Sequence, residues 1–246
     1  MFFVPLVANS FDFGIHLAKH IGIVACSAEG AALCYRTICT EASDRMGPHN
    51  HPEVSMHTIP LAEYMVGIES GDWDAVARIM LTSANKLAEI GADFLITPDN
   101  TIHQSFDLVA AKSPLPWLHI AHVVCETAAS RGYKRLGITG TKFLMEGPVY
   151  ADAASTRGIE TRIPDQDRRN RINEIIFDEL VYGDIRDISR DYFVETIRNL
   201  ADHDCDAVVL GCTEIPLIVN DDISPLPTLD STRLLARAAL HHALDE

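Results

Sequence analysis

Val209-Leu210-Gly211-Cys212-Thr213-Glu214-Ile215-Pro216 puts a cysteine where an apolar strand gives way to a turn. Ala207–Leu210 is short and β-branched, Gly211 suits a tight turn, and Thr213 and Glu214 suit the first turn of a helix. Cys212 is then expected beside free backbone N–H groups, a location that favours a thiolate and can hold an anionic substrate. The alternative for a lone Cys after a strand is a small, buried packing residue. A second unit upstream argues for the first reading. Phe94-Leu95-Ile96-Thr97-Pro98-Asp99-Asn100-Thr101-Ile102-His103 is again an apolar strand, a small polar turn and a helix start. Asp99 and Cys212 take equivalent places, 113 positions apart (212 minus 99), each with a Thr within two residues. Two related halves, each presenting one reactive side chain, predict a site between them that works on both faces of a small substrate.

Strands and helices alternate along the rest of the chain, which predicts an α/β fold with parallel sheets. Expected strands are Ile21–Ala25, Ser55–Ile59, Phe94–Thr97, Trp117–Ile120, Leu136–Thr139, Thr161–Ile163, Ala207–Leu210 and Leu226–Thr228. Helices are expected from Gly30 to about Thr40, then over Trp73–Ile90, up to Gly132, and over Asp167–Val181, Ile185–Ala201 and Thr232–Leu244. The Trp73–Ile90 helix carries Val76, Ile79, Met80, Leu87 and Ile90 on one side, with Gly91 past its end.

Composition sets limits. A chain of 246 residues with 47% apolar content can bury a substantial core. A net charge of −15 argues against nucleic acid or an anionic membrane surface as partner. No run of about twenty apolar residues offers a membrane span. Met1–Ala8 is apolar but short and lacks a basic start, so it is not expected to act as a signal peptide. The six cysteines form no C-x-x-C pair, which fits free thiols in a reducing cytoplasm. His49, His51 and His57 cluster without a metal-ligand spacing, and no metal is expected.

The chain resembles the aspartate/glutamate/hydantoin racemase superfamily of cofactor-independent enzymes. Gly211-Cys212-Thr213-Glu214 matches the family's second signature, and Asp99-Asn100-Thr101-Ile102-His103 its first, with Asp99 in place of the family's cysteine. Supporting matches are His20-Ile21-Gly22-Ile23-Val24, His51-Pro52-Glu53, Gly137-Ile138-Thr139-Gly140-Thr141, Asp165-Gln166 and Leu229-Asp230-Ser231-Thr232. The resemblance implies two pseudo-symmetric lobes, each a parallel-rich sheet flanked by helices, with the active site in the cleft between them. It places 1–115 plus 225–246 in the N-terminal lobe and 116–224 in the C-terminal lobe. It also implies a homodimer, no cofactor and a small carboxylate or amino-acid substrate, aspartate ahead of glutamate.

Racemisation needs a base on one face of Cα and a proton donor on the other. Cys212 and Asp99 are the expected pair. Asp99 would need burial or a nearby negative charge to lift a carboxyl pKa near 3.9 to a useful value. Asn100, Thr101, Thr141 and Thr213 are candidates to hold the substrate carboxylate, and each could instead serve as a helix cap. Ser27, in a turn where the family has a glycine-rich segment, is a further substrate contact, and Cys26 beside it could supply a second thiol. Glu214 could modulate the Cys212 thiol, and His103 could orient Asp99. Arg45, or alternatively Lys142, is the candidate for a distal substrate carboxylate. Two other outcomes stay open. One is a malonate-type decarboxylase or isomerase that uses Cys212 alone; the other is a silent carboxylate-binding protein.

Overall fold

Two parallel sheets carry the chain, and the computed structural model describes them within residues 18–245; Met1–Ala8 lies outside the described residues. In the first lobe β1 (Ile21–Ala25), β2 (Val54–Thr58) and β3 (Phe94–Ile96) pair in the order β2-β1-β3, with Ile21 opposite both Val54 and Phe94. Between them run α1 (Ala28–Glu41), the short α2 (Ser43–Met46), α3 (Leu61–Ser70) and α4 (Trp73–Glu89), and α5 (Phe106–Ala110) follows. The second lobe opens with α6 (Ile120–Ser130) and β4 (Arg135–Thr139), then α7 (Lys142–Met145), α8 (Val149–Ser155) and β5 (Glu160–Arg162). After α9 (Gln166–Glu174) and α10 (Asp187–Ala201) come β6 (Ala207–Leu210), β7 (Thr228–Asp230) and α11 (Ser231–Ala243). Its sheet has the order β5-β4-β6-β7, so β2-β1-β3 and β5-β4-β6 repeat one plan.

Both sheets are covered on both faces, because successive strand side chains point to opposite sides. Ile21, Ile23, Phe94 and Ile96 pack with Cys34 and Ile38 of α1 and Leu235 and Ala239 of α11. Val24 and Leu95 turn the other way, onto Ala84 and Leu87 of α4. In the second sheet Val209 joins Leu136, Ile138 and the α6 residues Val124 and Ala128, while Val208 and Leu210 join Phe193 and Ile197 of α10. The last helix therefore builds the core of the first lobe. β7 pairs with β6, so residues 228–230 belong to the second sheet and the chain crosses back at Ser231, later than the expected 225.

Several expected elements shift. Trp117–Ile120 forms no strand: Trp117 makes a single bridge to Leu95 in the first sheet, and Ile120 opens α6 behind a His119 cap. Ile90 falls past the end of α4 and is 60% exposed, because Asp72 caps the start and Gly91 at φ +91° ends the helix early. The expected helix over Asp167–Val181 breaks into α9, a π-helical turn at Ile175–Glu179 and a 3₁₀ turn at Leu180–Tyr182. Buried Glu179 fixes that turn by accepting from Arg171 and from the Ser189 hydroxyl of α10. Helix α3 had no counterpart among the expected elements, although Leu61, Tyr64, Met65 and Ile68 have amphipathic helical spacing. No described helix is long and apolar enough to cross a membrane.

Candidate active site

Ligand sites in parallel α/β sheets lie beyond the carboxyl ends of the strands, where the turns gather. Here the turns after β1, β3, β4 and β6 meet around one cleft between the lobes. Its polar floor contains Ser27, Asp99, Thr101, Thr141, Cys212, Thr213 and Glu214, so seven of the sequence-derived site residues converge.

Asp99 leaves β3 and is partly buried. The backbone N–H groups of Cys26 and Ser27 donate to its carboxylate at 3.2 Å. His103 fixes the turn: Nδ1–H donates to the Asp99 carbonyl (2.9 Å) and Nε2 accepts from the Ile120 N–H (3.2 Å). That assigns one neutral tautomer, and burial, which lowers the pKa of His103 to about 4, keeps the ring uncharged. Burial and then the Glu214 carboxylate raise Asp99 from an ordinary 3.8 to about 7, against the pull of its Ser27 and Cys26 hydrogen bonds. Burial and a nearby negative charge, either of which was expected to lift the Asp99 carboxyl, are both present.

Cys212 differs from expectation in one respect. No α-helix begins after it, only a 3₁₀ turn at Ile215–Leu217, so no helix dipole stabilises a thiolate. Its Sγ–H donates instead to Glu214 Oε2 at 2.9 Å. Burial and the Glu214 charge push the thiol well above its ordinary range, so Cys212 rests as a protonated acid. Gly211 likewise has a different reason from the one expected: its φ is not positive, but a Cβ there would stand 2.7 Å from the Thr139 carbonyl oxygen and 2.5 Å from Leu144 Cδ2.

Hydroxyl pairs tie the lobes together. Thr213 Oγ1 donates to Glu214 Oε2 (2.7 Å), which leaves it to accept from Ser27 Oγ (3.2 Å); Ser27 in turn accepts from the Gly30 N–H. Gly30 is small because a Cβ would meet Thr213 Cγ2 at 2.4 Å. On the other side Thr101 and Thr141 share a hydrogen bond of 3.0 Å. Two hydroxyls in mutual contact use one proton, so this pair retains one O–H for a ligand, whereas Ser27 and Thr213 have spent both of theirs. The Thr101–Thr141 pair is therefore the hydroxyl donor free to meet a substrate carboxylate. Ser27 and Thr141 also cap α1 and α7, so the capping and lining roles coincide.

Three expected residues lie elsewhere. Asn100 is buried outside the cleft lining: it accepts from Tyr150 Oη (2.6 Å) and donates to Ser231 Oγ (2.9 Å), which donates to the Leu210 carbonyl (2.9 Å). It braces the Asp99 turn against the Cys212 strand. Arg45 sits in a separate surface crevice with Glu41, Asp44 and Arg237, because α2 carries it to the outer edge of the first lobe. Lys142 places its ammonium over the Phe143 ring, 5.1 Å from the centroid, and does not line the cleft. Cys26 does line it, with its thiol pushed up by burial and by Asp99, but its side chain also joins Tyr64, Ile68 and Met80 in the core. Among the described residues no group of three or more His, Cys, Asp or Glu is arranged to hold a metal, and His51 and His57 engage Pro52, Ser83 and Lys86 separately.

The apolar part of the lining comes from residues outside the sequence-derived site. Leu61 and Met65 of α3, Phe143, Ile176 and Phe177 of the π turn, and Val181 close the cleft. A π turn is a recurrent feature of functional sites because it re-aims side chains. The apolar spacing of α3 was available in the sequence; the π turn had no local sign.

Relatives share both fold and sequence with this chain. The Asp/Glu/Hydantoin racemase family model matches residues 21–239. A putative Asp/Glu racemase from Yersinia pestis is 30% identical, covers 92% of this chain and 99% of its own, and superposes with a TM-score of 0.84. An aspartate racemase homologue from Pyrococcus horikoshii OT3 is 25% identical over 92% of this chain and 99% of its own, with a TM-score of 0.79. The broad specificity amino-acid racemase RacX of Bacillus subtilis is 20% identical over 78% of this chain and 82% of its own. With the family model matching residues 21–239, the chain belongs to the Asp/Glu/hydantoin racemase family.

Proposed function

We propose that the cleft racemises a small amino acid by proton transfer at Cα, with Asp99 and Cys212 acting on opposite faces. The observation that carries this reading is that Asp99 and Cys212, from equivalent turns of the two sheets, line one cleft; burial and Glu214 lift the carboxyl to about 7 and push the thiol up. One base and one acid are thus ready at neutral pH. Ionised Asp99 takes the Cα proton, and the electron pair spreads into the substrate carboxylate, which the free Thr101–Thr141 hydroxyl stabilises. The Cys212 thiol returns a proton from the other side. The products are a neutral Asp99 carboxyl, a Cys212 thiolate and the opposite enantiomer, the arrangement that runs the reverse reaction. Glu214 orients the thiol, and Thr213 holds Glu214. Asn100 acts as a brace rather than a ligand. Arg45 and Lys142, the cations expected to meet a distal substrate carboxylate, lie outside the cleft lining.

A protonated thiol opposite a second acid would also serve decarboxylation, in which the carbanion left by CO2 loss needs one proton. Incubating L- and D-amino acids separately in D2O, and following Cα deuterium with chirality, discriminates the two. Exchange with inversion is expected. Exchange that retains configuration would restrict the chemistry to one face. Absence of exchange across the amino acids would overturn the racemase reading in favour of a malonate-type decarboxylase or a binding protein.

A further inference from the structure

From the apolar lining of the cleft we infer that the substrate's α-substituent is apolar, an aliphatic or aromatic side chain, and not a second carboxylate. This rests on the reading of the cleft as a carboxylate proton-transfer site, and it specifies the substrate class.

The chain has 20 Lys and Arg residues, all between Lys19 and Arg237, and none lines the cleft. Arg171 and Arg186 pair with Glu179, and Lys142 stands over the ring of Phe143, 5.1 Å from its centroid. Inside, the charge is all of one sign, from Asp99 and Glu214. A distal carboxylate would enter without a cationic partner, beside two acids, and would surrender its hydration to Leu61, Met65, Phe143, Ile176, Phe177 and Val181. An apolar arm gains from the same wall, since each methylene removed from water is favourable. One carboxylate is accommodated: the Thr101–Thr141 pair keeps a single donor proton for it. Polar floor and apolar roof together match a molecule with one carboxylate and one hydrophobic arm.

The test pairs turnover with binding. Deuterium exchange at Cα is measured for phenylalanine, leucine and methionine against aspartate and glutamate. In parallel, phenylacetate and succinate are titrated for protection of Cys212 against alkylation, with Cys212→Ser as the blank. The expected result is kcat/KM for the apolar amino acids at least about tenfold above the acidic ones, with protection by phenylacetate and none by succinate. Preference for aspartate or glutamate would overturn the inference and leave the racemase reading standing. Protection by phenylacetate without exchange of any amino acid would overturn the racemase reading and leave the inference standing. Absence of both exchange and protection would overturn both.

Two kinds of variant extend the test. Phe177→Arg, or Met65→Lys if the first fails to fold, supplies the missing cation and should shift the ratio toward aspartate by about tenfold or more. Lys142→Met should leave the ratio unchanged. A selective loss of acidic turnover in that variant would identify Lys142 as the distal partner and overturn the inference.

Discussion

The turns after β3 and β6 occupy equivalent positions in two sheets of the same plan, yet they prepare their reactive groups in opposite ways. The Asp99 carboxylate receives two backbone N–H bonds from the β1 turn, which favour its charged form, while burial and Glu214 oppose them and bring its pKa to about 7. The Cys212 thiol donates a hydrogen bond to Glu214 and is pushed upward by burial and by that neighbour. One negative charge, Glu214, thus raises both groups. The fold repeats its geometry but not its electrostatics, and under the proposed function the carboxyl serves as a base through its burial and the Glu214 charge.

Removing either group should produce the largest effect. Cys212→Ser and Asp99→Asn are each expected to lower racemisation by about 10²–10⁴-fold, the usual size of a general acid/base contribution. Cα deuterium exchange measures both. Comparable losses would sustain the comparison of two working half-sites; an unaffected Asp99→Asn would break it. The same variant reports on stability. Asp99 has a raised pKa in the folded state, so its proton stabilises the fold at low pH, and this contribution is lost as pH rises from about 4 through about 7. At 1.36 kcal/mol per pH unit, the rise from 3.8 to about 7 corresponds to about 4 kcal/mol at most. Asp99→Asn should therefore gain melting temperature over the parent at pH 8 and lose that advantage at pH 4.

The pH profile of kcat/KM sharpens the comparison. The active pair holds one proton between two groups, so activity should fall below about pH 7 as Asp99 becomes protonated. Asp99→Cys makes the two turns chemically alike and should move that acid limb upward, toward the ordinary thiol value of about 8.5. An unmoved limb would assign the titration to another group.

Glu214→Gln tests the shared neighbour. With the charge gone, the Cys212 pKa should fall and its alkylation at pH 8 should accelerate by roughly fivefold to tenfold, while the acid limb of the activity profile moves below 7. Slower alkylation would mean that Glu214 acts as the base for the thiol.

The smallest effect is expected at the brace between the turns. Asn100→Ala leaves Tyr150 Oη and Ser231 Oγ short of a partner and should cost about 1–3 kcal/mol, read as a lower melting temperature. Turnover should fall less than in Asp99→Asn. A loss as large would move Asn100 from brace to substrate contact.

Local pattern in the sequence determined the α/β class, the parallel strands and the pairing of Asp99 with Cys212, because strand periodicity and turn chemistry are written in neighbouring residues. The amphipathic spacing of α3 is equally local, with Tyr64 and Ile68 on its buried side. Trp117 illustrates the limit: an apolar run predicts a strand, yet only its contact with Leu95 decides that one bridge forms and a helix follows. The acid/base character of the site was decided by tertiary structure. Whether Asp99 is a weak anion or a base depends on burial and on Glu214, which lies 115 positions away (214 minus 99). Whether a basic residue serves the substrate depends on which surface its helix faces, and α2 turns Arg45 away. The apolar wall depends on a π turn whose Glu179 is held by Arg171 and by Ser189 of α10, partners outside the turn itself. Charge, burial and shape in a cleft are sums over distant residues, whereas periodicity is a property of neighbours.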